Sequence, residues 1–222
     1  AISLEQRIIA SIESGRGVAP AIVQPEVAGE RLQALSQLKY GMTLNPGQEN
    51  AGRLLLGSHN RIVAIQGIAG AGKSTVLKPV ADILREEGRA VLGLAVQNTL
   101  VQMLERETGI PSMTVTRFLR RHRDLLEGGD PARLAEARAA MRGTVVLLDE
   151  ASMVGNADKE KLVRLANLLE LDRFASIGDR KQLGAVDAGK PFDVMQQAGV
   201  ETAVMNINVR AREQALRRAQ YA

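Results

Sequence analysis

A glycine-rich segment followed by lysine and serine constrains this chain more than any other feature. Residues 67–75 read Gly-Ile-Ala-Gly-Ala-Gly-Lys-Ser-Thr, after an apolar run at 61–66 and before helical spacing at 73–87. A strand, a glycine-rich loop and a helix in this order are typical of a phosphate-binding P-loop, because glycines let backbone N–H groups approach phosphate oxygens. The helix N-terminus adds partial positive charge. We therefore predict that the chain binds a nucleoside triphosphate.

Two side chains of this segment have predicted roles of their own. Lys73 is long enough to reach the β- and γ-phosphates, and the hydroxyl of Ser74 can bind Mg²⁺. The residues predicted to form the nucleotide site are Gly67, Gly70, Ala71, Gly72, Lys73, Ser74 and Thr75.

The composition fits one substantial globular domain. The chain has 222 residues, of which 45% are hydrophobic and 24% charged, and it has no cysteine. Disulfides and thiol catalysis are therefore excluded, and a cytoplasmic location is expected. No apolar run reaches 18 residues, so we predict no membrane segment. The net charge of +4 is equally compatible with a polyanionic partner and with a basic surface that only keeps the protein in solution.

Helical segments alternate with short, continuous apolar runs, which predicts an α/β fold with a parallel sheet between layers of helices. The predicted strands are 61–66, 90–96, 144–148, 173–177 and 203–207. The predicted helices in this part are 73–87, 98–108, 116–126, 131–141, 157–170 and 191–198. Gly88, Gly109, Gly143 and Gly199 fall near predicted helix ends, where a left-handed residue is common.

The first 43 residues differ from the rest of the chain. Helical apolar spacing occurs at 4–12 and 26–39, separated by a connector with two prolines, and Asn45-Pro46-Gly47 is typical of a turn. We interpret residues 1–43 as a small helical lead-in or linker, and residues 44–222 as the main domain.

Two adjacent carboxylates end the apolar run at 145–148. Asp149 follows at the carboxyl end of the predicted strand and is placed to hold Mg²⁺ directly or through water. Glu150 would then face the γ-phosphate, where a carboxylate can orient and deprotonate the attacking water. A strand that simply ends in polar surface residues is the alternative, and the P-loop favours the catalytic interpretation.

A third polar segment, Gly178-Asp179-Arg180-Lys181-Gln182, follows the predicted strand at 173–177. The amide of Gln182 could hydrogen-bond both a γ-phosphate and a water, which would let it sense the bound nucleotide. An ordinary polar loop has a similar composition, so the order of the three segments carries the argument.

In that order, the segments resemble motifs I, II and III of superfamily 1 helicases in the RecD-like branch. Residues 149–156 (Asp-Glu-Ala-Ser-Met-Val-Gly-Asn) and 182–192 (Gln-Leu-Gly-Ala-Val-Asp-Ala-Gly-Lys-Pro-Phe) look like the helicase part of conjugative relaxase–helicases, the TraI and TrwC type of the MobF class. The resemblance covers about residues 40–215. It implies a RecA-like P-loop NTPase fold, with ATP and Mg²⁺ as cofactors and single-stranded DNA as a partner.

The resemblance also assigns residues. Gln48, in a segment like the Q motif, would contact adenine, and Arg210, in a segment like motif IV, would reach the γ-phosphate. Residues 93–99 and 114–119 resemble segments that contact DNA. The implied DNA-binding residues are Asn98, Thr99, Thr116 and Arg117, with Lys190 beyond motif III. Residues 96–98 read Val-Gln-Asn, which departs from the Pro-Thr usual in the first of these segments.

The resemblance implies a motor in which ATP is hydrolysed between two RecA-like domains. We expect the second RecA-like domain and the relaxase domain to lie outside this chain, which begins with Ala1 rather than Met. The chain should then bind ATP weakly and hydrolyse it very slowly. Two alternatives stay open: a helicase-like module that only holds single-stranded DNA, and a different P-loop enzyme such as a small-molecule kinase.

A basic run at 117–123 contains four arginines and His122. It could follow a phosphate backbone, or it could be the solvated face of an amphipathic helix. Phe118 within it could stack on a base, although a single Phe at helical spacing is more often a core residue.

Overall fold

The computed structural model describes residues 1–67, 72–179, 195, 198–207 and 209–221. In these ranges the strands are β1 (Ile62–Gly67), β2 (Ala90–Ala95), β3 (Ser112–Thr114), β4 (Thr144–Leu148), β5 (Arg173–Asp179) and β6 (Glu201–Met205). The α-helices are α1 (Leu4–Ser14), α2 (Pro25–Leu35), α3 (Pro46–Gly57), α4 (Lys73–Glu86), α5 (Asn98–Thr108), α6 (Val115–Arg121), α7 (Arg123–Leu126), α8 (Pro131–Ala140), α9 (Asn156–Leu168) and α10 (Val209–Gln220). A π-helical turn (Ser36–Tyr40) continues α2, and a 3₁₀ turn (Ala151–Met153) follows β4.

The strands form one sheet in the order β3-β2-β4-β5-β1-β6, and every neighbouring pair is parallel. Gly67, the last residue of β1, pairs with Asp179 of β5 on one side and Met205 of β6 on the other. The carboxyl ends of three adjacent strands are therefore level with one another. This is the edge where ligands bind in open parallel sheets.

Helices cover both faces of the sheet, as the continuous apolar strands predicted. On one face α2, α3 and α4 pack over the sheet through residues such as Leu32, Leu55 and Val80. On the other face α1 and α6–α9 pack through residues such as Ile8 and Leu165. The predicted parallel sheet sandwiched by helices is confirmed.

Several helix ends carry a recognisable signal in the sequence. Side chains at the N-caps of four helices accept a hydrogen bond from the backbone N–H three residues on, as is usual for short polar residues: Ser3, Asn45, Thr114 and Asp130. The four glycines predicted near helix ends all have positive φ, between 66° and 74°. Within the described ranges, no helix combines the length and apolar composition that a membrane crossing requires.

The sequence predictions were wrong in several local details. Residues 45–47 are not a turn: Asn45 caps α3 and Pro46 occupies its first position, where the missing N–H costs nothing. Strand β3 was not predicted, because three residues are too few to show a pattern. The helix predicted at 116–126 is two helices separated at His122, and β6 begins two residues earlier than predicted. The helix predicted at 191–198 falls largely on residues outside the described ranges.

The N-terminal helices pack into the same two cores as the rest of the chain. Helix α1 lies against α9, and α2 lies against α3 and α4. The hydroxyl of Tyr40 donates to Asp82 in α4 at 2.5 Å, and Lys39 pairs with the same carboxylate at 3.0 Å. The boundary at residue 43 stays a prediction, but these contacts attach residues 1–43 directly to the P-loop helix α4.

A buried arginine joins three segments at the amino end of β5. Arg173 is fully buried, and its guanidinium donates to the carbonyls of Leu55, Asn60 and Pro20 at 3.1, 2.7 and 2.9 Å. Burial disfavours the charged guanidinium and lowers the pKa of Arg173 to about 10, against the weaker opposing attraction of Asp172 and Glu201. The guanidinium thus gives a hydrogen-bond donor to one buried and two part-buried carbonyls, and these carbonyls in turn satisfy the buried guanidinium.

Candidate nucleotide-binding site

The predicted P-loop lies between the end of β1 and the start of α4. Gly67 ends the strand, and Gly72 is the N-cap of the helix, with the left-handed backbone angles φ 76° and ψ 43°. Residues 68–71 lie outside the described part of the chain, and with them the predicted phosphate-binding residues Gly70 and Ala71. Lys73, Ser74 and Thr75 form the first turn of α4, and all three are partly exposed. The strand before the predicted P-loop and the helix after it are therefore as predicted.

Lys73 reaches across the end of β5 to the two carboxylates that follow β4. Its Nζ lies 2.5 Å from Oδ1 of Asp149 and 3.3 Å from Oε1 of Glu150. The side chain of Asp149 is only 10% exposed, whereas those of Glu150 and Lys73 are 25% and 29% exposed. Three of the four residues predicted to gather at one site are therefore in contact. The fourth, Gln182, lies outside the described residues.

The charge state of Lys73 depends on this contact. Burial is the largest single effect and disfavours the ammonium, but the attraction and hydrogen bonds of Asp149 and then Glu150 together outweigh it. The pKa of Lys73 is therefore raised above its ordinary value. Lys73 is charged at neutral pH, and a negatively charged ligand can compete with the carboxylates for its ammonium.

Local backbone geometry positions the two acidic residues. The N–H of Asp149 donates to the carbonyl of Leu94 at 2.8 Å, so the backbone pairing of β4 with β2 continues one residue beyond the strand. Glu150 has φ 48° and ψ 49°, a left-handed conformation that is uncommon for a residue with a side chain and often marks a functional position. The turn that it starts packs against Gly178, where the third predicted motif begins. A sharp turn at Glu150 thus separates two adjacent carboxylates.

The side chains around Lys73 fit a magnesium ion. The predicted ligands are the hydroxyl of Ser74 and the carboxylate of Asp149, and both are oxygen donors of the kind that Mg²⁺ prefers. Asp149 already lies beside a cation, the ammonium of Lys73. This donor set is too small to hold the ion alone. It fits an ion that also binds phosphate oxygens and water.

Gln48 lies beside the P-loop, but its amide contacts backbone groups. It is 3% exposed; its Oε1 accepts from the N–H of Asn45 at 3.0 Å, and its Nε2 donates to the carbonyl of Gly72 at 3.0 Å. A Cβ at residue 72 would collide with this Nε2. Contact with adenine stays a prediction. The bond to Gly72 was not predicted, because its partner is 24 residues away in the sequence.

The chain after β6 returns to the same edge of the sheet. Val209, the first residue of α10, has its Cγ2 3.6 Å from the position of a Cβ built on Gly72. The backbone of Arg210 follows in the first turn of α10, and its side chain lies outside the described part of the structure. The γ-phosphate role of Arg210 stays a prediction.

The predicted DNA-binding residues lie at the ends of two neighbouring strands. Asn98 and Thr99 begin α5 after β2, and Thr116 and Arg117 lie in the first turn of α6 after β3; all four are exposed. Because the strands are parallel, these residues lie at the same edge of the sheet as the P-loop. Lys190 lies outside the described residues. DNA binding by these residues stays a prediction.

The basic run at 117–123 divides into an exposed and a buried part. Its arginines are exposed, and Arg123 pairs with Glu127. Phe118 is buried, as the core interpretation predicted, and its ring centre lies 4.5 Å from that of His122. His122 is buried as well, with Nδ1 2.9 Å from the carbonyl of Phe118. The basic surface therefore consists of the arginines alone.

Comparison with known proteins supports the motif-based resemblance. A family model described as an AAA domain matches residues 43–222. The multifunctional conjugation protein TraI of Escherichia coli (strain K12) is 29% identical over 93% of this chain, which corresponds to 11% of that protein. The conjugal transfer protein TraA of Rhizobium radiobacter is 30% identical over 72% of this chain and 13% of its own length. The ATP-dependent RecD2 DNA helicase of Deinococcus radiodurans is 33% identical over 63% of this chain and 18% of its own length.

The chain spans less than a fifth of the length of each of these relatives. The matches nevertheless fall in proteins of the two kinds that the motif order indicated, conjugation proteins and a RecD-type helicase. The chain belongs to the AAA domain family, and its resemblance to the RecD-like helicase domain of TraI proteins is confirmed.

Proposed function

We propose that the chain is the ATP-binding motor half of a DNA helicase used in conjugative DNA transfer. The observation that carries the proposal is the contact of Lys73, which follows β1, with Asp149 and Glu150, which follow β4, at the carboxyl edge of the parallel sheet. The relatives support it, since they include a conjugation protein and an ATP-dependent DNA helicase by name. In the whole protein, ATP hydrolysis would drive translocation along single-stranded DNA and unwinding.

Binding of ATP would exchange one set of negative charges around Lys73 for another. The ammonium would leave Asp149 and Glu150 for the β- and γ-phosphate oxygens, and backbone N–H groups at the start of α4 would donate to the phosphates. Ser74 and Asp149 would hold the magnesium ion, which neutralises charge on the β- and γ-phosphates when it is bound. Asp149 is thereby kept near a positive charge in both arrangements.

Release of Lys73 would free Glu150 to act on water. A carboxylate next to the γ-phosphate can accept a proton from the attacking water and orient it. We assign this role to Glu150, because its side chain is more exposed than that of Asp149, at 25% against 10%. Gln182 would sense the γ-phosphate, and Arg210 would stabilise its charge.

Single-stranded DNA would lie across the carboxyl ends of β2 and β3. Asn98, Thr99, Thr116 and Arg117 are exposed there. The backbone bond from Asp149 to Leu94 connects the site to β2, so a movement at Asp149 has a direct route to the start of α5. The arginines of the 117–123 run add positive charge for the DNA backbone.

The proposed partners are single-stranded DNA and, in the same polypeptide, a second RecA-like domain and a relaxase domain. A second domain would add an arginine to the transition state, and such a contribution is worth about 10³–10⁵ in rate. The chain by itself should therefore bind ATP and turn it over very slowly.

The test measures ATP·Mg²⁺ binding by calorimetry and ATP turnover with and without single-stranded DNA, for the chain and for Lys73→Ala. We expect binding by the chain, a loss of at least about 100-fold in Lys73→Ala, and turnover that stays very slow with DNA. Equal ATP binding by the two proteins would refute the nucleotide site. Rapid DNA-stimulated turnover by the chain alone would refute the assignment as half of a motor.

The same measurements decide the alternative of a non-hydrolysing module that only holds single-stranded DNA. Such a module would bind DNA without binding ATP, and Lys73→Ala would leave its DNA binding unchanged. The paired Lys73, Asp149 and Glu150 favour the ATP-dependent motor, because holding DNA alone does not need them.

A further inference from the structure

The two carboxylates that follow β4 contact the same cation. Nζ of Lys73 lies 2.5 Å from Oδ1 of Asp149 and 3.3 Å from Oε1 of Glu150, so one ammonium bridges both side chains. Asp149 is buried, and Glu150 is only partly exposed. Two carboxylates that meet at one nitrogen repel each other unless a positive charge lies between them. The ammonium of Lys73 supplies that charge.

One of these carboxylates is also the predicted ligand of the magnesium ion. Oδ1 of Asp149 accepts the short hydrogen bond from Lys73. A metal ion on the same carboxylate would lie close to the ammonium, and two cations so near each other repel strongly in a partly buried site. The ammonium of Lys73 and a divalent cation therefore compete for Asp149.

The charge of this cluster depends on where Lys73 lies. With the ammonium in contact, one positive charge offsets one of the two negative charges. Without it, both carboxylate charges act on any other cation, and the affinity of oxygen ligands for a divalent cation rises with their charge. Among the described residues, no second lysine or arginine is paired with Asp149 or Glu150. The position of a single side chain thus sets the attraction for metal.

A triphosphate is the kind of ligand that can draw Lys73 away from the carboxylates. Lys73 is the first residue of α4, directly after the predicted P-loop, and its side chain is partly exposed. Phosphate oxygens offer the ammonium charge-assisted hydrogen bonds of the kind that it makes to the carboxylates. The exchange therefore leaves Lys73 with anionic partners, and it leaves Asp149 and Glu150 without their cation.

We propose that Lys73 is an internal competitor of the metal ion, which keeps divalent cations from Asp149 and Glu150 until a triphosphate draws its ammonium away. The proposal rests on the proposed function, because it takes Asp149 as the metal ligand and a triphosphate as the ligand of Lys73. It adds that the metal site is conditional on the position of this one side chain. Neutralising Lys73 should therefore create a divalent-cation site in the protein without nucleotide.

The experiment measures binding of Mn²⁺ without nucleotide by electron paramagnetic resonance, because Mn²⁺ takes the same oxygen ligands as Mg²⁺. Lys73→Met removes the charge and keeps a side chain of similar length. A unit charge beside a divalent cation changes its affinity by at least about 10-fold, even with the screening of water. Lys73→Met should therefore bind Mn²⁺ at least about 10-fold more tightly than the unsubstituted chain. Lys73→Gln is also neutral; it should show the same gain and replaces the Met variant if that protein fails to fold.

Two control variants test whether charge at residue 73 is the cause. Lys73→Arg keeps the positive charge, so it should bind Mn²⁺ as weakly as the unsubstituted chain. Lys39→Met removes a lysine that is paired elsewhere, since Nζ of Lys39 lies 3.0 Å from Oδ1 of the mostly buried Asp82. This pair has a single carboxylate, so Lys39→Met should not gain affinity for Mn²⁺. A gain in either control as large as that in Lys73→Met would overturn the proposal.

A double variant locates the new Mn²⁺ site. Asp149→Asn added to Lys73→Met should abolish the gain, because an amide carries no charge; a gain that persists would place Mn²⁺ elsewhere and overturn the proposal. Equal Mn²⁺ affinities of the unsubstituted chain and folded Lys73→Met would overturn it as well. Calorimetric binding of ATP·Mg²⁺ by the unsubstituted chain is measured in parallel. Its absence would refute the proposed function, whereas the Mn²⁺ comparison is made without any nucleotide.

Discussion

Two cations, one partly and one fully buried, lie at opposite ends of the sheet, and their surroundings differ in kind. Lys73, at the carboxyl end, contacts two carboxylates and keeps part of its side chain exposed. Arg173, at the amino end, is fully buried and donates to three backbone carbonyls. Burial disfavours the charge on both, but the pKa of Lys73 is raised whereas that of Arg173 is lowered to about 10.

The difference follows from the partners. Two carboxylates offer full negative charges that more than compensate for the loss of water around Lys73, whereas carbonyl dipoles compensate only partly around Arg173. Carboxylates can also be exchanged for phosphates, which carry the same sign of charge. Carbonyls from residues 20, 55 and 60 belong to the backbone and cannot be exchanged. Lys73 is therefore suited to a ligand, and Arg173 to a fixed scaffold.

The largest effect is expected from Arg173→Met. The substitution keeps an apolar stem of similar length but leaves the buried carbonyl of Leu55 and the part-buried carbonyls of Asn60 and Pro20 without this donor. We expect the free energy of unfolding to fall by about 3–5 kcal/mol, measured by urea denaturation. The stability of Arg173→Lys should lie between those of the unsubstituted chain and Arg173→Met. An ammonium keeps the charge but lacks the planar guanidinium that donates in three directions. A loss below about 1 kcal/mol in Arg173→Met would contradict the scaffold role.

His122 extends the comparison to a buried imidazole, whose protonation makes the free energy of unfolding depend on pH. Like Arg173 it is buried and hydrogen-bonded to a carbonyl, that of Phe118. Burial is the main cause that lowers its pKa; nearby Arg133 and Arg121 lower it further, whereas the Phe118 carbonyl and Asp124 oppose the shift. Folding therefore disfavours the protonated ring.

The sign of the pH effect follows directly. Well above the unfolded-state pKa of about 6.5, the ring is neutral in both states. Below it the unfolded chain takes up the proton first, so the free energy of unfolding decreases as the pH falls toward the folded-state pKa. The slope is at most about 1.4 kcal/mol per pH unit for one group. His122→Asn, which keeps a donor for the Phe118 carbonyl, should have a smaller slope between pH 7 and 5. Identical slopes would show that other groups cause the dependence.

The two ends of the sheet also differ in what the sequence revealed. Lys73, Asp149 and Glu150 could be predicted, because a P-loop and a carboxylate pair are contiguous patterns whose chemistry depends on residue type. Arg173 was seen only as the start of a strand, because backbone carbonyls from three distant segments have no sequence signature. The link from Gln48 to Gly72 was missed for the same reason.

Helix α3 was missed although its signal was present. Asn45, Pro46 and Gln48 form an N-cap, a first-position proline and a capping-box glutamine. The same Asn-Pro-Gly residues are also typical of turns, and this competing pattern hides the start of the helix. The short strand β3 had no comparable signal, because its pairing with β2 exists only in the folded sheet. Local patterns thus predicted the layers and the chemistry, while tertiary contacts decided the rest.

The smallest effect of a substitution on stability is expected at Lys73, the cation at the carboxyl end of the sheet. Lys73→Met removes the partner of Asp149 and Glu150, but these carboxylates lie at an edge of the sheet that must admit a charged ligand and water. We expect the free energy of unfolding to change by no more than about 1 kcal/mol, as for other partly exposed ion pairs. A loss as large as that of Arg173→Met would mean that Lys73 is part of the scaffold.

Ligand-dependent stability would sharpen the same contrast. ATP·Mg²⁺ at 100 times its dissociation constant should stabilise the unsubstituted chain by about 2.7 kcal/mol, since it binds only the folded state. The same concentration of ATP·Mg²⁺ should stabilise Lys73→Met hardly at all. A conservative Arg173→Lys variant should be stabilised by ATP·Mg²⁺ as much as the unsubstituted chain, although its stability without nucleotide is lower. If both variants lost the stabilisation by ATP·Mg²⁺, the two ends of the sheet would be coupled, because Arg173 begins β5 whereas Lys73, Asp149 and Glu150 lie at the carboxyl edge of the sheet.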